Sequence, residues 1–434
     1  MAISQNFPDV RPSLNLNFAR SKTLDPRITF ERASIGTYVD ENGLIKTASA
    51  DEARFDHDPV TGESLGLLIE ESRSNLITQS STNWVNNIFE FTNVDNQHVA
   101  PDGTTTASDI SETTASSQHY ATTQGFSITS GSTYTFSFFA KNIDRSSTSI
   151  TITTGGGFTY TVVKYFVDDI NATQVLANSS NAIHTKENYG NGWYRFSLSL
   201  TATSTITSAF YVDFRSLNGG VGSTTSMAVW GFQMELGSFP TSYIPTSGSQ
   251  VTRQGDVAQI TGSNLLNFIN KDEYTLLCSI KHRQFIVGSY PSIGFGGGSV
   301  DNWQQLRFYR ADGGNPRADF SGRNSGDFFA TGVVILASGS TNPTTPIYNL
   351  NEDMLYAFSI NSTSAQLDLK QDGFAHQTRS VTFSEKNWFT PNLFAIHYGP
   401  TYGISASSNL NGTIKYIKYY PERLTNTQLQ NLTK

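Results

Sequence analysis

Hydrophobic and polar residues alternate with a period of two along most of this chain. In residues 134–139 (YTFSFF), Tyr134, Phe136 and Phe138 share one face. In residues 193–200 (WYRFSLSL), Tyr194, Phe196, Leu198 and Leu200 do the same. In residues 228–236 (AVWGFQMEL) the face is Ala228, Trp230, Phe232, Met234 and Leu236. Such alternation predicts strands with one buried side. Helical periodicity is nearly absent. The exception is the end of the chain, where a strand over 413–420 stops at Pro421. There Thr425, with Gln428 three residues on, spells a capping box for one short helix. Asp372-Gly373, between two strand-like runs, predicts a hairpin turn.

The pattern divides the chain into sections. Residues 1–80 hold most of the charge clusters, at 22–32 and 51–58. Residues 81–247 are Ser/Thr-rich and dense in strands. A turn-rich join, 239–246 (FPTSYIPT), and a linker at 248–262 lead to a second strand-dense block, 263–434. At 434 residues the chain has room for about three units.

Composition narrows the class. Charged residues are only 15% of the chain and aromatics 12%, as in β-sandwiches with polar loops around aromatic cores. The net charge is −7 and no Lys/Arg stripe is present, which argues against nucleic acid as a partner. Cys278 is the single cysteine, so no intrachain disulfide forms, and its apolar run predicts a buried thiol. The first residues lack a basic-then-apolar signal region, and no apolar run approaches ~20 residues. The expectation is a soluble protein made in a cytoplasm, with no membrane insertion.

Several stretches carry candidate chemistry. Gly62-Glu63-Ser64-Leu65-Gly66 matches the hydrolase pattern G-x-S-x-G, which needs a strand before the serine and a helix after it. A turn precedes this serine and no βα alternation exists, so no nucleophile is expected. The neighbouring Asp56, His57 and Asp58 read as a turn or an interface, with a metal role as the alternative. Glu70-Glu71 and Glu352-Asp353 do not form the carboxylate pair of a glycosidase, and no catalytic residue is expected. The histidines and the cysteine lack zinc spacing. Calcium stays open at Asp301-Asn302 and Asp312-Gly313-Gly314-Asn315, both of which also read as turns. Gly155-Gly156-Gly157 and the run 294–299 read as tight turns or bulges, since no helix or lysine follows to make a phosphate loop. Trp303 and Trp388 sit in polar surroundings and are expected to stack on sugar rings. Arg307, Tyr309 and Asp312 lie near the first, and Asn392 near the second. Together these six form the expected carbohydrate-binding surface.

Residues 11–77 resemble the N-terminal segment of bacteriophage virion proteins, particularly tail-fibre and other appendage proteins. The residues that carry this are 24–30 (LDPRITF), 55–59 (FDHDP) and 67–76 (LLIEESRSNL). The middle block is similar to carbohydrate-binding-module-like jelly rolls, on 101–104, 134–141, 192–195, 230–235, 241–246 and 251–253. The last block resembles a laminin-G or concanavalin-A-like sandwich, chiefly through its ending, 412–433. The fold class implied is all-β: tandem β-sandwiches, a jelly roll and a concanavalin-A-like domain, behind an N-terminal β-rich segment. The closing strand and helix suggest that 263–434 is self-contained.

The resemblance implies a virion protein without enzymatic activity that assembles with other virion proteins and with itself, as a trimer. It would touch host surface glycan. The alternatives are a purely structural tail, baseplate or head-fibre part and a capsular depolymerase.

Overall fold

The computed structural model describes residues 7–433 apart from 116–118, 145–148, 155, 160, 167–172, 178–181, 209, 214–225, 284–290, 300, 311–315, 326, 331–333, 336–351, 372–375 and 397–409. The named strands all pair antiparallel, and three short helices are the only helical elements among the described residues. The chain is all-β.

The larger of two sandwiches packs sheet A against sheet B. Sheet A runs, in spatial order, Gln377–Thr382, Ser364–Gln371, Met354–Ile360, Tyr274–His282, Gly412–Tyr420, Ser64–Ile69 and Phe55–His57. Leu14–Asn17 also pairs with Gly412–Tyr420, alongside Ser64–Ile69. Sheet B runs Thr29–Glu31, Val257–Thr261, Leu393–Ala395, Ser292–Ser299, Asn302–Arg310, Pro316–Asn324 and Asp327–Ala330, with Val334–Ile335 also pairing with Pro316–Asn324. Between them lies one core that includes Leu276, Cys278, Phe358, Ile417 and Tyr419 from sheet A and Phe295, Phe308, Phe320 and Phe394 from sheet B.

Residues 1–80 and 248–262 are expected as an attachment segment and a linker, but 7–78 and 248–262 are woven into this sandwich. Leu14, Leu16, Phe18, Ile28, Phe30, Leu67, Ile69, Ala258 and Ile260 are members of its core. Block 263–434 is therefore not self-contained. Its last strand, Gly412–Tyr420, would have one edge bare without Leu14–Asn17 and Ser64–Ile69. The closing helix, Asn426–Leu432, has the capping box spelled by Thr425 and Gln428. It lays Leu429 on Leu277, Ala357, Tyr420 and Leu424, on the outer side of sheet A.

The second sandwich is inserted between residues 79 and 247. Gln79 and Ser247 form a β-bridge, and the Gly248 amide donates to the Thr78 carbonyl at 2.8 Å. The chain thus leaves and re-enters the larger sandwich at one point, the usual geometry of a tolerated domain insertion. Sheet C of this insert runs Ile183–Asn188, Trp193–Thr201, Thr133–Asn142, Ser226–Leu236, Ala107–Glu112 and Phe91–His98. Sheet D runs Thr173–Ala177, Val162–Phe166, Ser149–Thr154, Phe210–Asp213, Tyr120–Thr123 and Val85–Phe89. Between them Phe232 stacks on Trp84 at 3.8 Å and on Phe138 at 5.1 Å.

Strand Ser226–Leu236 departs from simple alternation. Its register against Thr133–Asn142 shifts between Ser137 and Phe139, and Gly231 takes a φ of +68°. Met227, Val229, Phe232 and Met234 face the jelly-roll core, while Ala228 and Trp230 face the other way. On that second side Trp230, Phe139, Trp193 and Tyr243 bury Val39 and Ile45 of the hairpin Gly36–Val39/Ile45–Ala48. A bulge lets one strand feed two cores, and the N-terminal segment supplies the cover.

Residues 263–434 expressed alone should show no cooperative melt by circular dichroism. Restoring 7–78 and 248–262, with a short glycine-rich turn in place of the insert, should recover one.

Candidate functional site

The two sandwiches meet at a buried cluster of charges. Arg54, directly before strand Phe55–His57, donates to the Glu70 carboxylate at 2.8 Å, to the Thr37 carbonyl at 2.8 Å and to Asp256 at 2.5 Å. Arg32 holds the other Asp256 oxygen at 3.1 Å. Glu70, directly after Ser64–Ile69, also accepts from the Ser242 amide and hydroxyl at 2.8 and 2.6 Å. Arg253 and Arg283 each approach it at 3.6 Å. Arg283 continues to Asp56 at 3.2 Å, whose other oxygen accepts from the Val39 amide at 2.7 Å. Arg32, Arg54, Glu70, Arg253 and Asp256 are all shielded from solvent to within 1%.

A second tier extends toward the insert. Glu71 pairs with Arg73 and accepts from the Asn411 amide group at 3.1 Å. The Arg73 guanidinium lies over the Phe239 ring and meets the Leu236 carbonyl. Asn75 donates to the Phe232 and Ile244 carbonyls at 3.1 and 3.0 Å and accepts from the Met234 amide. Glu235 collects Gln233 and the Thr241 amide. Glu70 and Glu71, adjacent in sequence, thus serve different partners.

Desolvating a lone charge costs several kcal/mol, and only close, fully hydrogen-bonded partners offset it. Here arginines 32, 54, 73, 253 and 283 match Asp56, Glu70, Glu71, Glu235 and Asp256. Burial opposes ionisation of Glu70, but Arg253, Arg54 and Arg283 outweigh it and hold its carboxyl well below the usual range. At Asp56 burial wins over Arg283 and the Val39 amide, and the carboxyl is raised. Apart from Arg283, whose side chain is 28% exposed, the cluster is closed to solvent and presents no carboxylate to a substrate. Its hydrogen bonds to Ser242, with those of Arg73 and Asn75 to Leu236, Phe232 and Ile244, tie the larger sandwich to the insert.

The hydrolase-like stretch belongs to the same construction. Asp58 accepts from the Val60 and Thr61 amides at 2.9 and 2.8 Å, and Gly62 closes the turn onto the Asp58 carbonyl. Gly62 has a φ of +71°, and a Cβ there would sit 2.6 Å from the Glu41 carbonyl oxygen. At Gly66 φ is +91° and a Cβ would fall 2.1 Å from the Ile414 carbonyl oxygen. Both glycines of the motif are thus required by turn and close approach. Ser64 opens a strand rather than a nucleophile elbow, and its hydroxyl has no hydrogen-bond partner. His57 lies opposite it in register and meets the Val39 carbonyl at 3.0 Å through Nδ1.

The expected sugar platforms sit elsewhere, and both are buried. Trp303 is only 5% exposed, beneath Arg307 and beside Phe328. Its polar sequence neighbours misled, because Gln304 and Gln305 are themselves buried, bonded to Tyr274 and Ser292. Trp388, 3% exposed, is a core residue against Phe329 and Phe383, its indole N–H on the Asn361 carbonyl at 3.2 Å. A stacking platform needs an open ring face, so neither tryptophan serves as one. Arg307 is engaged bidentately by Asp319 at 2.8 and 2.7 Å. Asn392 is exposed, and its backbone amide donates to Gly296. Asp312, the side chain of Tyr309, and the Asp372-Gly373 turn lie outside the described residues.

Gly294 of the glycine-rich run lies in a strand, where a Cβ would meet the Gln304 carbonyl oxygen at 2.1 Å. Asp301 faces Arg323 at 3.7 Å, and Asn302 accepts from the Ser325 amide. Among the described residues no three His, Cys, Asp or Glu side chains are grouped to hold a metal ion. An open cleft of about 530 Å³ lies over the N-terminal segment, lined by Tyr38, Asn42, Glu52 and Phe55 and including the Lys22–Glu41 ion pair.

No protein-family model matches the chain, and a search of curated proteins finds no match. Among solved structures it is similar to the GH43 protein BlXynB from Bacillus licheniformis, at 11% identity and a TM-score of 0.24, over 65% of this chain and 64% of that one. It is similar to the LG1-3 region of the laminin α2 chain at 9% identity and a TM-score of 0.23, over 70% and 65%. A xylan β-1,4-xylosidase from Bacillus halodurans C-125 gives 9% and 0.24, over 95% and 99%. The chain thus spans less than two thirds of the first neighbour's length. At these TM-scores none of the three bears on what this chain does.

Glu70→Gln should lower stability at neutral pH by about 3–5 kcal/mol in chemical denaturation, since it leaves buried arginines uncompensated. Folded Glu70 binds its proton less readily than unfolded Glu70. Its contribution is therefore full above the usual carboxylate range near pH ~4 and drains as pH falls below it. The gap between wild type and Glu70→Gln should accordingly narrow on acidification.

Gly66→Ala should cost about 2–4 kcal/mol through strain and overlap. Ser64→Ala should stay within about 0.5 kcal/mol, because the hydroxyl it removes is already unpaired. The same denaturation curves read both.

Proposed function

We propose that this chain is a structural protein of a bacteriophage virion appendage, and that it is not an enzyme. The observation that carries the reading concerns the segment resembling virion proteins. Arg32, Asp56, Glu70, Glu71, Arg73 and Asn75 lie in or beside its matched stretches, and all are spent on the sealed junction. A segment used this way sets one domain rigidly on another, which suits a projecting body under load. Work of this kind is done in assembly with other virion proteins and with further copies of the chain. The burial of Trp303 and Trp388 favours a scaffold role over receptor contact within that class.

Contact with host glycan is the second reading, and the cleft beside Tyr38 favours it. Its size suits one or two sugar rings, with an aromatic wall and polar edges.

Antibodies raised against the purified chain should decorate phage particles at an appendage in electron micrographs. Particles without label would sink the proposal, and release of reducing ends from host polysaccharide by the purified chain would make it an enzyme instead. On a glycan array, binding that disappears in Tyr38→Ala would establish the second reading.

A further inference from the structure

Sheets C and D of the insert end side by side in two edge strands, Phe91–His98 and Val85–Phe89. An edge strand offers unpaired backbone donors and acceptors, and proteins usually defend it with charge, brevity or cover. The first of these two is defended. Asp95 lies within it, tied down by the Ser108 hydroxyl at 2.6 Å, the Asn93 amide group at 3.0 Å and the Asn83 amide at 3.1 Å. The edges at Ile183–Asn188 and Gln377–Thr382 carry Lys186, Glu187 and Arg379.

Val85–Phe89 (VNNIF) has no charged residue, and its last four side chains are all exposed. Ile88 and Phe89 are each 45% exposed. Against Tyr120–Thr123 the register shifts at one end: Thr122 faces Asn87 and Thr123 faces Val85, which makes Asn86 the extra residue of a bulge. The straight run, uncharged and uncovered among the described residues, is therefore 87–89. Ile88 stands opposite Ala121, a member of the jelly-roll core. Phe89 stands opposite Tyr120 on the other face and stacks on it at 5.5 Å.

We propose that this strand is a self-association site, pairing antiparallel with the same strand of a second copy about a two-fold axis at Ile88. The inference rests on the appendage reading only in that it names how copies meet. The axis sets Ile88 against Ile88, so the row that runs from the core residue Ala121 to the exposed Ile88 continues into the partner. Phe89 then faces Asn87 across the join, and Glu90 faces the bulged Asn86. No like charges oppose each other, although each copy carries a net charge of −7. An isologous contact of this kind closes on itself. It gives a dimer, not the trimer that the resemblance implies. One five-residue strand pair buries less than the about 1,000 Å² of a tight interface, so the contact is weak in isolation and strengthened where copies are held close together.

The full-length chain with Ile88→Cys tests this. Like residues on a two-fold antiparallel pair lie close enough for a disulfide, and the native Cys278 is buried. Mild oxidation should give a covalent dimer on a non-reducing gel. Val94→Cys, 50% exposed on the neighbouring strand, should remain monomeric on the same gel. Absence of the Ile88→Cys dimer, or an equal yield from Val94→Cys, would overturn the pairing. So would a trimer in light scattering that Ile88→Lys leaves intact. Particle labelling judges the appendage reading separately, and it can succeed where the cross-link fails.

Discussion

The Glu70 carboxylate is the point on which this structure turns. It is out of water, and its charge is tolerable only because Arg54, Arg253 and Arg283 surround it while Ser242 fills its remaining lone pairs. Those partners come from four distant parts of the chain: the turn before Phe55–His57, the exit of the insert, the strand Val251–Arg253 and the end of Tyr274–His282. The charge is satisfied only when all four are in place. Apolar contacts tolerate sliding, whereas the directional hydrogen bonds that Glu70 accepts from Arg54 and Ser242 do not. The core supplies the bulk of the stabilisation, and the junction supplies the orientation.

The legibility of the sequence follows from the range of the physics involved. Strand alternation is a local property, so the all-β class, the buried face of 134–138 and the capping box at Thr425 could be read directly. Partnership between strands is not local. Nothing in the residues Leu14–Asn17 says that they pair with Tyr416–Tyr419 at the far end of the chain. The linker at 248–262 failed for the same reason: its short runs look like loop until Thr29–Glu31 and Leu393–Ala395 flank them.

The candidate site shows the same limit from another side. Polar neighbours made Trp303 and Trp388 look exposed, but in a wide sandwich glutamines can be buried when they find partners, as Gln304 does with Tyr274. Trp230 looked in phase with Phe232 because a bulge is invisible to a period count. Only Gly231, between them, hinted at it. Asp56, His57 and Asp58 read as a turn or an interface, but the burial of Asp56 and of Arg54 beside it depends on partners far along the chain.

The pairing of the first strand with the last has a consequence for how the protein is made. Leu14–Asn17 leaves the ribosome roughly 400 residues before its partner, an interval of about 20–80 s at ordinary elongation rates. Throughout that time the apolar faces of the first strands have no sheet to join. The insert, complete once residue 247 has emerged, can close its own core meanwhile and bury Val39 and Ile45 against Trp230. The early segment then waits docked on a finished domain, and the larger sandwich closes only once Gly412–Tyr420 has emerged.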